Sequence, residues 1–234
     1  MNIVTFIIIL IIIFVIYNIY ENIKKQYIDL AKDLKFWKNK YQNNHNELID
    51  FIKEILPFFN KYNIVYWVHA GTLLGYTRHN GFIPWDDDID FGYIDDININ
   101  DFKQELQNKY IIEDTFFGFK IIDKIKNNIF IDMFKYTIDY NNNKANQTYY
   151  SNLIWPKENY YLNELFPLKN GKFENLELFI PNESDKICNR IYGNDYKDIY
   201  YLHTPHYDNF LSNIYDGIGI LTIVGKKFYI KDLH

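Results

Sequence analysis

The sequence contains a single cysteine, Cys188, so no disulfide bond can form within the chain. Arginine is almost as scarce, because Arg78 and Arg190 are the only two and all other positive side chains are lysines. An arginine that occurs against such a composition is a candidate for a specific role. The formal net charge is -5 and no basic block occurs, which argues against a nucleic-acid-binding protein.

Apolar residues are abundant, at 48% of 234 residues against 24% charged, which predicts one globular domain with a short appendage. Residues 3–20 carry no charge, and a helix of that length spans about 27 Å, close to the ~30 Å hydrocarbon core of a bilayer. We therefore expect a transmembrane anchor over residues 1–20 and a single-pass membrane protein. A cleaved signal peptide would need a basic start and a small-residue cleavage site. A buried helix of a soluble domain is the third reading, and the uniformly apolar circumference favours a membrane span over it.

Residues 21–45, after this run, predict a helical stalk. Six lysines between positions 24 and 40 favour a cytosolic domain, whereas the sequons at Asn146 and Asn182 suit a luminal one, so the sidedness stays open. Apolar residues recur at steps of four and three, a heptad-like stripe that suits either a homodimer or packing on the catalytic domain. The stripe consists of Ile23, Tyr27, Leu30, Leu34, Trp37 and Tyr41.

Residues 46–234 predict the catalytic domain, an α/β (α+β) fold with a mixed sheet flanked by helices. Its first helix covers residues 47–59 and ends near Pro57. Strands are expected over residues 64–68, 89–92, 110–113, 116–122 and 129–136. Further helices are expected to open at Gly71 and to cover residues 100–109 and 184–192, and a β-hairpin is expected around residues 169–172.

The acidic run Asp86-Asp87-Asp88-Ile89-Asp90 carries the most informative chemistry. Side chains alternate along a strand, so Asp88 and Asp90 face the same side, about 7 Å apart, where they repel unless a cation lies between them. Hard oxygen ligands at this spacing suit Mg²⁺ or Mn²⁺ shared with substrate phosphates. Asp86 lies two positions before Asp88, so on an extended chain it faces the same side and is a further candidate ligand. A solvated acidic turn is the alternative, but the neighbouring Trp85 and Phe91 favour burial, where an unpaired acid cluster is costly.

Two other segments could complete such a site. Gly71 and Thr72 follow a buried strand and open a helix, whose free N-terminal amides can bind phosphate. Asp132 lies in an apolar strand, where it is either a metal ligand, a general base or a solvent-facing edge residue. The burial of its neighbours favours the first two roles.

Three basic side chains lie near the run. Arg78 is a candidate phosphate clamp, because a guanidinium matches phosphate oxygens with two parallel hydrogen bonds, and a surface ion pair is its alternative. His79 could be a base or a donor contact, or it could be structural. His69, at the end of a strand, is expected to serve packing.

The ordered series of motifs resembles the LicD family, which includes bacterial phosphocholine transferases and the fukutin-related proteins. The resemblance covers about residues 63–196, and the motif Tyr76-Thr77 departs from it where small or apolar residues are more usual. It is carried by Trp67-Val68-His69-Ala70-Gly71-Thr72-Leu73-Leu74-Gly75, Arg78-His79-Asn80-Gly81-Phe82-Ile83-Pro84-Trp85-Asp86-Asp87-Asp88-Ile89-Asp90, Ile131-Asp132-Met133-Phe134, Leu165-Phe166-Pro167-Leu168, Phe173-Glu174, Pro181 and Tyr192-Gly193-Asn194-Asp195-Tyr196.

The resemblance implies a nucleotidyltransferase-like fold and a phosphotransferase of LicD type, which the predicted anchor would hold at a membrane. Such an enzyme moves a phosphocholine or phospho-polyol group from a nucleotide-diphosphate donor, of CDP type, to a glycan hydroxyl. The family pattern of a Gly-Thr turn, an Asp-x-Asp strand and a third strand aspartate carries over to Gly71 and Thr72, to Asp88 and Asp90, and to Asp132. We expect the three aspartates to hold the metal, and Gly71, Thr72 and Arg78 to bind the donor phosphate. The expected partners are this donor, a glycan acceptor and membrane lipid around the N-terminal helix, with no nucleic acid. The alternatives are a nucleotidyltransferase that modifies a small molecule or protein, and a non-catalytic membrane scaffold.

Overall fold

A computed structural model describes residues 3–31, 34–96, 98–126, 128–197, 199–201 and 227–229. Its helices are α1 Ile3–Ala31, α2 Leu34–Lys61, α3 Ala70–His79, α4 Ile99–Leu106, α5 Tyr149–Ile154, α6 Leu162–Leu165 and α7 Ser184–Tyr192. Its strands are β1 Tyr66–Val68, β2 Ile89–Ile94, β3 Tyr110–Asp114, β4 Gly118–Asp123, β5 Phe130–Asp139, β6 Lys144–Gln147, β7 Tyr160–Tyr161, β8 Lys169–Phe173, β9 Leu176–Ile180, β10 Ile199–Tyr201 and β11 Lys227–Tyr229.

The main sheet has the strand order β1-β2-β5-β4-β3, with β6 on β5 and β7 on β6. Only β2 and β5 pair in parallel among the described strands of this sheet, and α4, β3 and β4 form the crossover between them. The first five residues of β5 are buried, as expected for an apolar strand at the centre of a sheet. The predicted mixed α/β architecture therefore agrees with the structure.

Helix α2 covers one face of the sheet. Leu48, Ile52, Ile55 and Phe59 are buried at steps of four, three and four residues, so they form one stripe along the helix. The Phe59 ring contacts the Phe91 ring of β2 edge-on, with centroids 5.7 Å apart. Burial of each such side chain contributes roughly 1.5–3 kcal/mol, which fixes α2 to the sheet.

Aromatic rings fill the opposite face. Gly92 in β2 leaves room for the buried Trp67 indole, since a Cβ atom at Gly92 would lie 2.4 Å from Trp67 Cε2. The Trp67 ring packs against Tyr136 and Tyr160, at centroid distances of 5.2 and 5.7 Å. His69 is fully buried in this layer, with Nδ1 2.6 Å from the Tyr160 hydroxyl, so its expected packing role is confirmed.

Two local predictions differ from the structure. Pro57 does not end α2, which continues to Lys61 with the proline inside it. The β-hairpin joins β8 to β9, but its turn lies at Glu174 rather than at residues 170–171. Gly171 instead lies within β8, where its missing side chain makes room for Tyr76 and Ile180.

The transmembrane anchor predicted over residues 1–20 is wrong, and so is the single-pass membrane localisation inferred from it. In the part of the chain that the structure describes, no helix combines enough length with enough apolar character to cross a bilayer.

The predicted stalk reaches the domain through α2. Tyr41, the last residue of the heptad-like stripe, is buried. The side chains of the other five stripe residues lie outside the described ones, so homodimerisation through the stripe stays a prediction.

Candidate active site

Three buried carboxylates converge beside the parallel strand pair. Asp90 in β2 lies directly opposite Asp132 in β5, and Asp88 immediately precedes β2. One carboxylate oxygen from each residue lies within 4.8 Å of the other two. Like charges this close repel strongly away from water, so a cation beside them would stabilise the arrangement. The structure thus brings together the three aspartates that the sequence proposed as metal ligands.

Asp86 lies at the edge of this cluster. An added Cβ atom on Gly71 would lie 3.1 Å from Asp90 Oδ2 and 3.5 Å from Asp86 Oδ2, so both carboxylates lie close to this glycine. Asp86 also forms a second acidic group with Asp87 and Asp88. A side chain at position 71 would occupy the space between the two carboxylates.

The first turn of α3 orients Asp90. The amides of Gly71 and Thr72 donate hydrogen bonds to Asp90 Oδ2 at 2.9 and 3.4 Å. The Asp90 amide in turn donates to Thr72 Oγ1 at 2.8 Å. These amides were predicted to bind phosphate, which stays a prediction, and in the structure they hold a carboxylate. A carboxylate fixed by several donors is a pre-oriented ligand.

Lys120 in β4 provides positive charge at the cluster. It pairs with Asp132 across the antiparallel β4–β5 ladder, and its ammonium lies 3.0 Å from Asp132 Oδ1 and 3.2 Å from Oδ2. Burial lowers the pKa of Lys120, but the charge of Asp132, with smaller effects from Asp88 and Asp90, outweighs burial and raises it. Sequence analysis missed this residue, because only the strand register places it beside Asp132.

Helix α2 fixes the loop that carries Asp86 and Asp87 through two contacts to its backbone. His45 Nε2 lies 2.8 Å from the Asp86 carbonyl oxygen, and Asn44 donates to the Asp87 carbonyl at 3.2 Å. Because a carbonyl can only accept, Nε2 of His45 carries the proton. The His45 ring also stacks on Phe82, with centroids 4.3 Å apart and an interplanar angle of 7°. Sequence analysis placed these residues in the stalk, and no local signal distinguishes them.

We expect His45→Ala to weaken Mn²⁺ binding about tenfold, because the loop that carries Asp86 and Asp88 loses both a hydrogen bond and a stacking partner. Isothermal titration calorimetry with Mn²⁺ measures this effect. His45→Gln is the matched variant, because its amide nitrogen can still donate to the Asp86 carbonyl and should retain most of the affinity. Equal losses in both variants would show that the hydrogen bond does not position the loop.

Arg78 and His79 lie at the other end of α3. About seven residues separate them from Gly71, or about 10 Å along the helix axis. Arg78 Nε donates to His79 Nε2 at 3.0 Å, and its Nη1 donates to the Tyr196 carbonyl at 3.3 Å. The predicted roles of Arg78 and His79 in substrate binding stay predictions.

Because of His79, we expect the folded protein to lose stability in mild acid. Burial, and then the charge of Arg78, lowers the pKa of His79 from 6.5 to about 4. Between pH 6.5 and about 4, His79 therefore binds a proton in the unfolded chain but not in the folded chain. The free energy of unfolding falls as the pH drops through this interval. The loss attributable to this residue is of order 2–3 kcal/mol.

The measurement is chemical denaturation between pH 7 and pH 4, compared between the wild type and His79→Asn. The variant lacks the titrating ring, so its stability should decline less steeply over this interval. Parallel pH profiles for the two proteins would exclude His79 as the source of the acid sensitivity.

Comparison of the sequence with known protein families identifies the family of this chain. A family model described as LicD/FKTN/FKRP, nucleotidyltransferase domain, matches residues 63–183, which include the four site carboxylates and Lys120. The chain belongs to the LicD family. The resemblance inferred from the motifs is thereby confirmed, while the loop contacts made by His45 and Asn44 lie outside the matched segment of this LicD chain.

Three curated relatives match this LicD chain. An uncharacterized protein of Rickettsia prowazekii is 32% identical over 71% of this chain and 62% of its own length. A second, from Rickettsia typhi, is 35% identical over 71% of this chain and 52% of its own length. The chain thus spans little more than half the length of these relatives. The lipopolysaccharide cholinephosphotransferase LicD of Haemophilus influenzae is 55% identical over 40 residues, or 15% of each chain.

Proposed function

We propose that this LicD chain is a metal-dependent transferase that moves a substituted phosphate group from a nucleotide-diphosphate donor to a glycan hydroxyl. The observation that carries the proposal is the convergence of three buried aspartates, with carboxylate oxygens within 4.8 Å of one another. Family membership supports a phosphotransferase-like activity, and the Haemophilus influenzae relative is named as a cholinephosphotransferase.

The site residues fit a divalent metal ion. Asp88, Asp90 and Asp132 offer hard carboxylate oxygens only, which suits Mg²⁺ or Mn²⁺ rather than a softer metal. Their burial and mutual repulsion give a further reason for a cation at this point. When bound, such an ion would neutralise charge on the phosphate groups of the donor.

The chain's own residues then position the reaction. The Gly71 and Thr72 amides hold Asp90, and the parallel ladder holds Asp132 beside it. The attacking sugar oxygen forms a bond to the distal phosphorus of the donor, and the bridging oxygen leaves with the nucleoside monophosphate. The hydroxyl proton passes to a carboxylate oxygen of Asp132. Catalysis rests on orientation and charge neutralisation more than on covalent chemistry.

Product analysis tests this function. A thermal-shift screen of CDP-, UDP- and GDP-linked donors with Mn²⁺ first selects the donor by the largest rise in melting temperature. The selected donor is then incubated with the protein and candidate glycans. Release of nucleoside monophosphate together with a phosphorylated glycan supports the proposal.

A second function, transfer of a whole nucleotide to a small molecule or protein, is favoured by the nucleotidyltransferase description of the matched domain. It would release pyrophosphate from a nucleoside triphosphate, and that result would replace the first proposal. A protein that binds neither Mn²⁺ nor any nucleotide donor would be a non-catalytic scaffold.

A further inference from the structure

Lys120 contacts both oxygens of the Asp132 carboxylate, which the proposed metal site also needs. Its ammonium lies 3.0 and 3.2 Å from the two Asp132 oxygens, while Asp132 is grouped with Asp88 and Asp90. A divalent cation that binds this group would approach the same carboxylate, and two cations so close repel each other. Metal binding therefore favours release of the Asp132 carboxylate by the ammonium.

The surroundings of Lys120 allow that movement. Its side chain is 25% exposed, so it reaches the solvent-accessible edge of the cluster. The ammonium also lies 4.2 Å from the centroid of the Phe130 ring and 6.0 Å from that of the Phe117 ring, and an aromatic ring attracts a cation more weakly than a carboxylate does. A lysine side chain is flexible and carries a compact charge, so it can change partner at low cost.

A diphosphate would supply the new partner. The grouped carboxylates carry three negative charges and Lys120 carries one positive charge, so the balance of these four side chains is -2. A divalent cation brings this set to neutrality, and a donor diphosphate then adds further negative charge beside it. An ammonium released from Asp132 is tethered close enough to compensate that charge.

We propose that Lys120 is a donor-binding residue that exchanges the Asp132 carboxylate for a phosphate oxygen of the donor when a divalent cation binds. The inference rests on the proposed function, and it assigns to that site a residue that the sequence did not. It predicts that removal of the Lys120 ammonium raises the affinity for the metal and lowers the affinity for the donor. The reason is that Lys120 competes with the metal for Asp132 and binds the donor.

The test is Lys120→Met. Titration of the purified protein with Mn²⁺ alone, followed by electron paramagnetic resonance of the free ion, should show about threefold to tenfold tighter binding than in the wild type. Binding of the CDP-linked donor at saturating Mn²⁺ should be at least about tenfold weaker, because one charge-assisted hydrogen bond is lost. Lys120→Arg should weaken Mn²⁺ binding, because a guanidinium holds a carboxylate with two parallel hydrogen bonds.

Lys135→Met is the matched control. Lys135 lies in β5 and pairs with Asp95, so its loss should change neither affinity. If Lys120→Met weakened Mn²⁺ and donor binding together, the residue would be a structural partner of Asp132 and the inference would be overturned. Unchanged affinities in Lys120→Met would overturn it as well, while the proposed function would stand as long as the wild type bound both ligands. A wild type that bound no Mn²⁺ would overturn both.

Discussion

Asp88→Asn is expected to abolish turnover and Mn²⁺ binding while the fold remains intact. Asparagine has almost the same shape but removes one of three converging negative charges. Because a bound metal contributes several kcal/mol to transition-state stabilisation, activity should fall by about 10³-fold or more. The measurements are the rate of nucleoside monophosphate release and a calorimetric Mn²⁺ titration.

The melting temperature of Asp88→Asn without metal separates loss of function from loss of fold. It should equal or exceed that of the wild type, because the substitution relieves repulsion among buried carboxylates. Asp114→Asn is the matched control, since this aspartate lies on β3, pairs with Lys103 and is remote from the cluster in the strand order. Full activity in Asp88→Asn would refute the metal-site assignment.

Gly75→Ala is expected to destabilise the fold by about 1–3 kcal/mol, as overpacking of a tight interior contact does. Helix α3 crosses the loop before the acidic run at Gly75, and a Cβ atom there would lie 2.4 Å from the Gly81 carbonyl oxygen. That oxygen belongs to the backbone, so either the helix or the loop must move. For a domain of this size the melting temperature should fall by roughly 2–10 °C in a thermal scan.

The displacement should also reach the active site, because the loop continues from Gly81 through Asp86 to Asp88. We therefore expect weaker Mn²⁺ binding in Gly75→Ala together with the lower melting temperature. Gly171→Ala provides the contrast, since the three atoms nearest to the added methyl group would be side-chain atoms of Ile180 and Tyr76, which can move more easily than backbone. Equal destabilisation by the two variants would show that the backbone contact at Gly81 is not the cause.

Much of the site chemistry could be predicted because it depends on local rules. The alternation of side chains along a strand placed Asp88 and Asp90 on one side, and the apolar neighbours of Asp132 indicated its burial. Helix α7 and the strands near the site also lie close to where their patterns predicted them. The anchor prediction failed because it rested on an apolar run alone, and no membrane-crossing helix is found in the described part of the chain.

Contacts between distant segments could not be predicted in this way. The partner of Asp132 in β4 depends on how β4 and β5 align, and nothing in the neighbourhood of Lys120 encodes that register. The hydrogen bond from His45 to the Asp86 carbonyl likewise joins residues 41 positions apart. The free amides expected at Gly71 and Thr72 proved to be donors to Asp90, 18 or 19 positions away.

The sequence by itself determined which residue types this LicD chain offers for chemistry and which of them share a face of their own strand or helix. The tertiary structure alone decided that Asp90, Asp132 and Lys120 lie side by side on three adjacent strands, and that α2 supports the acidic loop. The reason is that side-chain alternation follows from the geometry of each residue's own backbone. Strand order and register, by contrast, follow from burial summed over the whole domain.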